Sequence, residues 1–231
     1  DPEGVITMRL AISDVEYPEA ADALAFYLQV LEKVRALPGV VAAGVTTGVP
    51  VEDSGIMLGH SFEESPPEDD EIAPNYITHL MLQDALDVLS VPLLSGRRLG
   101  PEDIGGGVST VMIREALARL VWPDPAEAVG RRVMPGKPQD GGVWYTIVGV
   151  VGDAPYGGLA EGMKEALYYP FWALNVNGSD RLYTSQLELV IKTRVAPTSL
   201  ARAAADAVWA LDPDVPVADI RTMDEVVAEA A

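Results

Sequence analysis

The two ends of the chain carry the same pattern of hydrophobic and polar positions. Residues 24–37 place apolar side chains every three or four positions, and the apolar run 40–45 follows a Pro-Gly pair. Residues 200–211 repeat that spacing, and the extended run 215–220 follows an Asp-Pro-Asp turn. The spacing predicts two amphipathic helices, and the short runs after them predict strands.

A strand-like stretch also precedes each predicted helix, at residues 5–12 and 187–192. The chain is therefore expected to begin and to end with a β-α-β unit. Two such units at opposite ends of one chain indicate that the termini fold together and that the segment between them is inserted.

The middle of the chain predicts a mixture of helices and strands. Helical patterns cover residues 79–89 and 115–122. The aromatic and β-branched run 144–151 predicts the strongest strand of the chain, and further strands are expected at 109–113 and 166–170.

Loops rich in charge, glycine or proline separate these elements. Segment 48–74 contains the acidic run 63–71 and two adjacent prolines, which predicts a solvated loop. Residues 91–94 form a short extended piece, and the glycine-rich segment 95–107 predicts a surface loop.

Both ends of the sequence suggest that the polypeptide continues. Thr222 and Glu225 match a capping box, which opens a helix, yet the sequence ends at Ala231. A helix of so few turns is marginal alone. The first residue is Asp1 rather than Met, so the chain is expected to be a piece of a longer protein.

Composition narrows the classes of function. The 231 residues are 48% hydrophobic and 22% charged, which is typical of a folded protein with one large domain or two small ones. Asp and Glu outnumber Lys and Arg by 35 to 16, so no nucleic-acid partner is expected. The absence of cysteine excludes disulfides, thiolate catalysis and cysteine zinc sites.

The histidines and the acidic run are candidate metal or acid–base sites. His60 falls in a predicted loop and His79 near a predicted helix start, and neither has further ligands at suitable spacing. Surface or partly packed positions are expected for both. The run 63–71 could hold calcium, but it lacks the spacing and the turn glycine of an EF-hand.

Glycine and arginine clusters offer two further candidates. Glycines at 149–152 and 157–158 could cradle a phosphate, but Pro155 interrupts any helix that a dinucleotide fingerprint would require. A strand end followed by a tight turn is the simpler interpretation. The pairs 97–98 and 131–132 are arginines that could contact an acidic partner, or could be rim charges on surface loops.

No reaction centre emerges from these motifs. The chain contains neither the nucleophile elbow G-x-S-x-G nor a Walker lysine loop. No catalytic, cofactor-binding or metal-binding residue is therefore predicted, and no cofactor. The chain is expected to bind, transmit or scaffold rather than to act as an enzyme.

Six stretches nevertheless match one family in order and spacing. They are residues 31–40, 91–99, 115–123, 128–133, 145–153 and 210–225. Together they resemble the periplasmic core domain of MacB-type, FtsX-like ABC transporter permeases, and they are similar in particular to the duplicated orphan permeases of the acidobacterial type. Residues 82–86 and Arg114 depart from the pattern of that family.

The resemblance implies an α+β fold in two parts. The two terminal β-α-β units, residues 1–50 and 183–231, would form a porter-like subdomain, and residues 51–182 an inserted mixed α/β subdomain. The resemblance also implies flanking transmembrane helices of the same polypeptide, a separate cytoplasmic ATPase subunit and a periplasmic location for this domain of an inner-membrane protein. An adaptor protein and a second copy of the chain are further candidate partners.

Two hypotheses of function follow. The first is a non-catalytic extracytoplasmic domain of an ABC-transporter-type permease, which transmits conformational change from flanking helices (mechanotransmission) and contacts cargo or adaptor proteins. The alternative is a soluble ligand-binding module that captures a peptide or lipid between its subdomains. A deep apolar pocket lined by Trp144, Tyr168 or Trp172 would favour the alternative.

Overall fold

The structure is a computed structural model that describes residues 3–49, 55–104, 109–153, 165–171 and 186–229. Within these ranges it has eleven strands and five α-helices. The strands are β1 Val5–Ala11, β2 Val40–Thr46, β3 Ile56–Phe62, β4 Asn75–Gln83, β5 Leu93–Gly96, β6 Thr110–Arg114, β7 Arg132–Pro135, β8 Tyr145–Val151, β9 Ala166–Pro170, β10 Gln186–Thr193 and β11 Val217–Thr222. The helices are α1 Ala20–Arg35, α2 Ala85–Val88, α3 Glu115–Val121, α4 Pro197–Trp209 and α5 Met223–Glu229.

The first and last strands of the chain form one antiparallel sheet, which we call the terminal sheet, in the order β11-β1-β10-β2. Ile6 lies directly opposite Thr222, and Ile6 also pairs with Ile191 on the other side. The two predicted β-α-β units are interleaved, because β10 lies between β1 and β2. The ends of the chain therefore fold together, as the repeated pattern predicts.

Helices cover both faces of the terminal sheet. On one face, Leu31 of α1 and Val208 of α4 share a buried cluster with Leu189 of β10. On the other face, Val226 of α5 packs with Val190, the next residue of β10. Neighbouring residues of a strand point to opposite faces, so β10 is apolar on both sides because both sides are covered.

The middle of the chain closes into a ring of six strands, in the order β4-β3-β7-β8-β6-β9 and back to β4. The β4–β9 and β6–β8 pairs are parallel, and the other four pairs of the ring are antiparallel. Strand β5 pairs with β8 beside the end of β7. We call this set of six strands the strand ring.

Large side chains fill the inside of the strand ring. Tyr145 and Tyr169 are almost fully buried there, and their ring centroids lie 4.9 Å apart in an edge-to-face arrangement. Phe62 and Trp122 meet in the same way at 5.4 Å. These residues belong to the same buried cluster as Leu31 and Val208, so the terminal sheet and the strand ring share one apolar core.

The predicted helix at 79–89 is wrong over its first half. Residues 75–83 form β4, and the helix α2 covers only Ala85–Val88. Leu80 and Met81 are buried in different clusters on the two faces of β4, so the strand lacks the alternation that normally identifies one. The chain leaves the strand at Gln83, which has a φ of +57°.

The predicted loop at 48–74 contains a strand that composition does not reveal. Strand β3 includes Gly59, His60 and Ser61, residues that favour strands weakly. Pairing with β4 on one side and with β7 on the other stabilises it. The sequence does not predict the short strand β7 either, because its four residues carry too little pattern.

The remaining predictions agree with the structure. Strands β1, β2, β6, β8, β9, β10 and β11 and helices α1, α3 and α4 lie where the sequence placed them, within a few residues. The capping box also forms: the Glu225 N–H donates to the Thr222 hydroxyl at 3.2 Å, and the Thr222 N–H donates to the Glu225 carboxylate at 2.8 Å. The predicted α+β class is confirmed, and the exact division into subdomains stays a prediction.

Candidate functional site

The junction between the terminal sheet and the strand ring consists of residues 44–47 and 80–85. Three consecutive residues of β2 pair antiparallel with the last three residues of β4, with Val45 opposite Leu82 in the middle. The Thr47 N–H then donates to a carbonyl of β4 at 3.1 Å. Backbone hydrogen bonds therefore connect the terminal strands directly to the strand ring.

Gly44 allows helix α2 to pack directly on β2. A Cβ atom at Gly44 would lie 2.3 Å from the backbone nitrogen of Ala85, well inside van der Waals contact. Gly44 sits in the extended backbone of β2, so the position requires the lack of a side chain and no unusual dihedral angle. The junction is close-packed at this point.

Arg35, the last residue of α1, connects the end of that helix to β2 and to the end of β4. Its guanidinium donates to the carbonyl of Ala43 at 2.7 Å, to the carboxylate of Asp84 at 2.6 Å, and to the side-chain oxygen of Gln83. Arg35 and Asp84 are both partly exposed, so solvent weakens the ion pair. The three bonds together nevertheless fix the end of α1 to both β2 and the turn after β4.

Inside the core, an aromatic contact joins helix α1, which covers the terminal sheet, to the strand ring. Tyr27 of α1 is fully buried, and its ring centroid lies 5.7 Å from that of Phe171, which follows β9. The Phe171 N–H donates to the carbonyl of Met81 at 2.7 Å. The junction is thus supported by side-chain packing on its buried side and by Arg35 at its edge.

The arginine pair 97–98 lies on the loop after β5, as the sequence predicts, and Arg97 is 44% exposed there while it pairs with a buried carboxylate. Arg97 donates two hydrogen bonds to the carboxylate of Asp103, at 2.7 and 2.8 Å. Asp103 is only 1% exposed, and it also accepts from the Gly100 N–H and the Thr110 hydroxyl. Burial raises the pKa of the Asp103 carboxyl, but these hydrogen bonds outweigh burial and leave the pKa below its ordinary value.

We expect Asp103→Asn to lower the free energy of unfolding by about 2 kcal/mol at pH 7, because Arg97, the Gly100 N–H and the buried Thr110 hydroxyl lose a buried, charged acceptor. The pKa of the Asp103 carboxyl is lower in the folded than in the unfolded protein, so the carboxylate stabilises the fold at any pH above its unfolded-state pKa. This contribution is lost as the pH falls through the folded-state pKa. The difference between the two proteins should therefore shrink below about pH 4. Urea unfolding at about pH 7 and about pH 3.5 measures it, with the exposed Asp70→Asn as control. A difference that stays constant with pH would contradict the assignment.

The structure brings together the arginine pair 131–132 and the acidic run 63–71. Arg132 donates to Glu63 at 2.7 Å, and Arg131 pairs with Glu64. Glu64 also accepts from the indole N–H of Trp122 at 2.7 Å. The beginning of the acidic run is therefore tied to the strand ring, whereas composition predicts a solvated loop for the whole run.

The structure buries both histidines, contrary to the prediction of surface or partly packed positions. His60 lies on β3 inside the strand ring and is 1% exposed, and its ring stacks on Tyr169 at 5.9 Å. His79 lies on β4 and is 3% exposed, with its ring 5.2 Å from that of Tyr168. The two imidazoles occupy different buried regions and form no shared site.

The glycines at 149–152 have a packing role. Strand β8 continues through Val151, and a Cβ at Gly149 would lie 2.3 Å from the carbonyl oxygen of Arg97. Close approach of the chain after β5 therefore explains Gly149 better than a turn does. The second glycine pair, 157–158, lies outside the described residues.

Two kinds of feature, metal-binding clusters and membrane-spanning helices, are absent from the described ranges. In those ranges, no three His, Asp or Glu side chains are arranged so that they could hold a metal ion. Among the helices that the structure describes, none is both long enough and apolar enough to cross a membrane.

Two of the three aromatic residues predicted to line a peptide- or lipid-binding pocket, Tyr168 and Trp144, make packing contacts in the described part of the chain. Tyr168 is buried against His79, and Trp144 lies under the guanidinium of Arg132 at 5.7 Å. Trp172 lies outside the described residues. A small cavity next to the junction instead involves Met81.

Sequence reasoning missed the residues of the junction. Gly44 interrupts the apolar run 40–45, and an isolated glycine within a strand pattern is a signal of close backbone approach. Arg35 carries no such signal, because a basic residue in the last turn of a helix is common on electrostatic grounds alone. Its partners Gln83 and Asp84 lie 48 and 49 positions away in the sequence.

Three solved structures of similar fold are a periplasmic region, an extracellular domain and a permease domain. The periplasmic region of MacB from Actinobacillus actinomycetemcomitans matches with a TM-score of 0.60 at 13% identity, over 99% of this chain and 92% of the other. The extracellular domain of the noncanonic ABC-type transporter YknZ from Gram-positive bacteria matches with 0.56 at 15% identity, over 93% and 100%. A domain of a putative permease from Porphyromonas gingivalis matches with 0.51 at 18% identity, over 96% and 91%.

At these identities the solved structures establish the fold alone. No curated protein matches the chain. A family model, however, matches residues 8–211, which include most of the terminal sheet and the whole strand ring. This chain therefore belongs to the family of MacB-like periplasmic core domains.

Proposed function

We propose that the chain is the non-catalytic, extracytoplasmic domain of an ABC-transporter-type permease. Flanking transmembrane helices of the same polypeptide would enter and leave through the terminal sheet. A separate cytoplasmic ATPase subunit would drive those helices, and the domain would transmit their movement to cargo or to an adaptor protein in the periplasm. A second copy of the chain is a further candidate partner.

One observation carries this proposal: the first and last strands are neighbours, and their sheet continues into the strand ring. The opposed pair Ile6 and Thr222 places the start of β1 beside the start of α5. A displacement applied at these two points acts on one hydrogen-bonded body, since β1 also pairs along its whole length with β10. Rigid-body movement then costs less than local unfolding.

The proposed division of the chain follows the same architecture. Residues 1–50 and 183–231 would form the porter-like subdomain that receives the movement, and residues 51–182 would form the subdomain that presents a surface to partners. The junction would be the only antiparallel strand pairing between the two in the described part of the chain. Its stiffness would determine how faithfully movement is transmitted.

Substitution of Arg35 tests the proposal in the full-length permease, reconstituted in liposomes with its ATPase. We expect Arg35→Ala to reduce transport per ATP hydrolysed while hydrolysis continues, because the end of α1 loses its bonds to β2 and to the turn after β4. The loss of stability should be only about 1 kcal/mol, since the site is partly exposed. Circular dichroism of the variant verifies that it is folded.

Arg202→Ala is the matched control. Arg202 is 83% exposed on α4 and pairs only with Asp206 one turn later among the bonds that the structure describes. Transport with this variant should equal that of the native protein. Equal coupling in the Arg35 and Arg202 variants would refute a role for the junction, and polar sequence on both sides of the domain would refute the permease assignment.

A further inference from the structure

Three short segments meet at the end of the terminal sheet where β1 begins. We call them together the entry surface, which comprises residues 3–5, 38–41 and 192–195. The Thr193 N–H donates to the carbonyl of Gly4 at 2.7 Å, and the Arg194 N–H donates to the carbonyl of Gly39 at 2.9 Å. Backbone hydrogen bonds therefore hold both loops beside the residues that lead into β1.

Two valines of the entry surface are exposed on neighbouring loops. Val41 is 49% exposed, and Val195 is 43% exposed. The pairing of β2 with β10 passes from Val40 to Ala42 and omits Val41, so this side chain lies outside the regular alternation of the sheet. Val195 lies against Gly39 on its inner side. Single exposed valines are common, but two on adjoining loops form a small apolar surface.

Cations lie around these two valines. Lys192 is the penultimate residue of β10, Arg194 follows that strand, and Lys33 lies in the last turn of α1. Lys33 and Arg194 are exposed. The Lys192 ammonium donates to the backbone carbonyl of Glu3 at 2.6 Å, a partner that does not neutralise its charge. The entry surface and its rim thus combine apolar side chains with long basic ones.

The opposite end of the terminal sheet is acidic. The Tyr17 hydroxyl donates to the Asp212 carboxylate at 2.8 Å, which places segments 13–22 and 212–214 together beyond the end of β1. The length of β1 separates the two ends of the sheet by roughly 20 Å. These two segments contain no Lys or Arg, and their acids are Asp14, Glu16, Glu19, Asp22, Asp212 and Asp214. Charge is therefore distributed unequally along the sheet, with the cations at the end where β1 begins.

Acidic residues also occur near the entry surface. Glu225 accepts a hydrogen bond from the Thr222 N–H at 2.8 Å, and Glu229 pairs with Arg221 at 3.0 Å. The three cations are balanced in number by the remaining acids of this end, Glu3, Glu32 and Asp224. This end of the domain therefore escapes the strong negative charge of the whole chain, which is −19. It can approach phosphate groups without the repulsion that the acidic end would meet.

We propose that the entry surface rests in the phospholipid headgroup layer of the membrane, with Val41 and Val195 among lipid groups and the three cations on phosphates. This inference rests on the proposed function, because transmembrane helices joined to the start of β1 and the end of α5 would bring this end of the sheet to the bilayer. Both loops are held beside Gly4. A helix that ends just before β1 would therefore leave them at the level of the headgroups.

The side chains of the entry surface suit that layer. Exposed valines add apolar area where headgroups meet acyl chains, which favours binding at the interface. Lysine and arginine lay their aliphatic stems along such a boundary while their charged groups bond to phosphate oxygens. The contact would fix the tilt of the terminal sheet relative to the membrane, so a shift of the flanking helices would move the whole sheet.

Site-directed fluorescence in the full-length permease, reconstituted in phospholipid vesicles, tests the contact. The domain contains no cysteine, so a single introduced cysteine can carry the fluorophore NBD once any cysteine elsewhere in the permease is replaced by serine. Labels at Val41→Cys and, separately, at Val195→Cys are compared with a label at Val15→Cys, whose native valine is 87% exposed at the acidic end. We expect lipids with a nitroxide on the headgroup to quench the first two labels at least about threefold more strongly than the third. If Val195→Cys fails to fold, Val41→Cys carries the test.

Reversal of one cation tests the contact with phosphate. Arg194→Glu should reduce quenching of the Val41→Cys label at least about twofold, because phosphate repels the new carboxylate. Arg119→Glu is the matched control. The side chain of Arg119 is 60% exposed on α3, outside the terminal sheet, so this variant should leave the quenching unchanged.

Flotation of the vesicles in alkaline carbonate separates failure of this inference from failure of the proposed function. A permease that floats but shows equal quenching at Val15, Val41 and Val195 would overturn the lipid contact and leave the permease assignment intact. A chain that carbonate removes from the vesicles would refute the permease assignment and the lipid contact with it. A label at Val195 that shifts to the blue without quenching would place a protein on this surface and overturn the lipid contact. Unchanged quenching in Arg194→Glu would overturn the binding of phosphate.

Discussion

Gly44→Val is expected to lower the free energy of unfolding by about 4 kcal/mol, a larger loss than that of Arg35→Ala. Valine favours strands over glycine by up to about 1 kcal/mol, but that gain applies only where the side chain has space. At Gly44 even a Cβ atom would lie 2.3 Å from the Ala85 nitrogen and 2.5 Å from its Cα. Because both contacts are to backbone, a rotamer change cannot relieve them, and α2 must move away from β2.

Urea unfolding of the native and variant domains measures this effect. Gly141→Ala is the control: Gly141 has a φ of +76°, but a Cβ atom there would meet no other atom within 4 Å. The cost of the control is therefore only that of the left-handed backbone, about 1 kcal/mol. A Gly44→Val variant no less stable than Gly141→Ala would show that α2 is not closely packed on β2. The packing account of the junction would then be wrong.

As the pH falls from about 6.5 to about 4, the native domain is expected to lose about 3 kcal/mol of stability because of His60. Burial inside the strand ring lowers the pKa of His60 to about 4, and a hydrogen bond to the carbonyl of Leu58 at 2.9 Å opposes this only in part. The unfolded chain binds a proton near pH 6.5, whereas the folded chain resists it down to about pH 4. Above pH 6.5 the His60 ring is neutral in both states and does not reduce the free energy of unfolding. That free energy then decreases as the pH falls through this interval.

His60→Leu removes the titrating group and should flatten that part of the pH profile. The variant loses the bond to Leu58, but it also removes a buried Nε2 atom that has no hydrogen-bond partner in the described part of the chain. The two effects are of similar size, so the two proteins should be nearly equal at about pH 7.5. The variant should be more stable at about pH 4.5.

Chemical denaturation of both proteins in steps between about pH 7.5 and about pH 4.5 provides the measurement. The difference between them cancels the titration of the many surface carboxylates, which both proteins share. A difference that does not change over this range would mean that His60 is accessible to solvent. The described interior of the strand ring would then be incorrect around β3.

The sequence predicted the terminal sheet well because its elements have clear periods. Helices α1 and α4 each bury one face and expose the other, so apolar residues recur at helical spacing. Strand β8 of the strand ring is just as clear, because it is rich in aromatic and β-branched residues. In these places the local pattern and the tertiary environment specify the same element.

The rest of the strand ring was harder to predict because tertiary contacts decide its elements. Strand β4 is covered on both faces and shows no alternation, and β3 contains residues that favour strands only when neighbours supply hydrogen bonds. The junction depends on contacts such as Arg35 with Asp84, between residues 49 positions apart, and one sequence contains no signal for such a pair. The burial of His60 has the same origin, since its stacking partner Tyr169 is far away in the sequence.

The pairing of β1 has a consequence for how the chain is made. Within the described ranges, β1 pairs with β10 and β11 alone, so its earliest partner begins at Gln186. At common rates of protein synthesis, the first strand waits roughly ten to thirty seconds before that partner exists. The apolar residues of β1 are exposed during this time, and the closing of so long a loop delays folding further. Newly made chains should therefore depend on a chaperone that holds the first strand until synthesis is nearly complete.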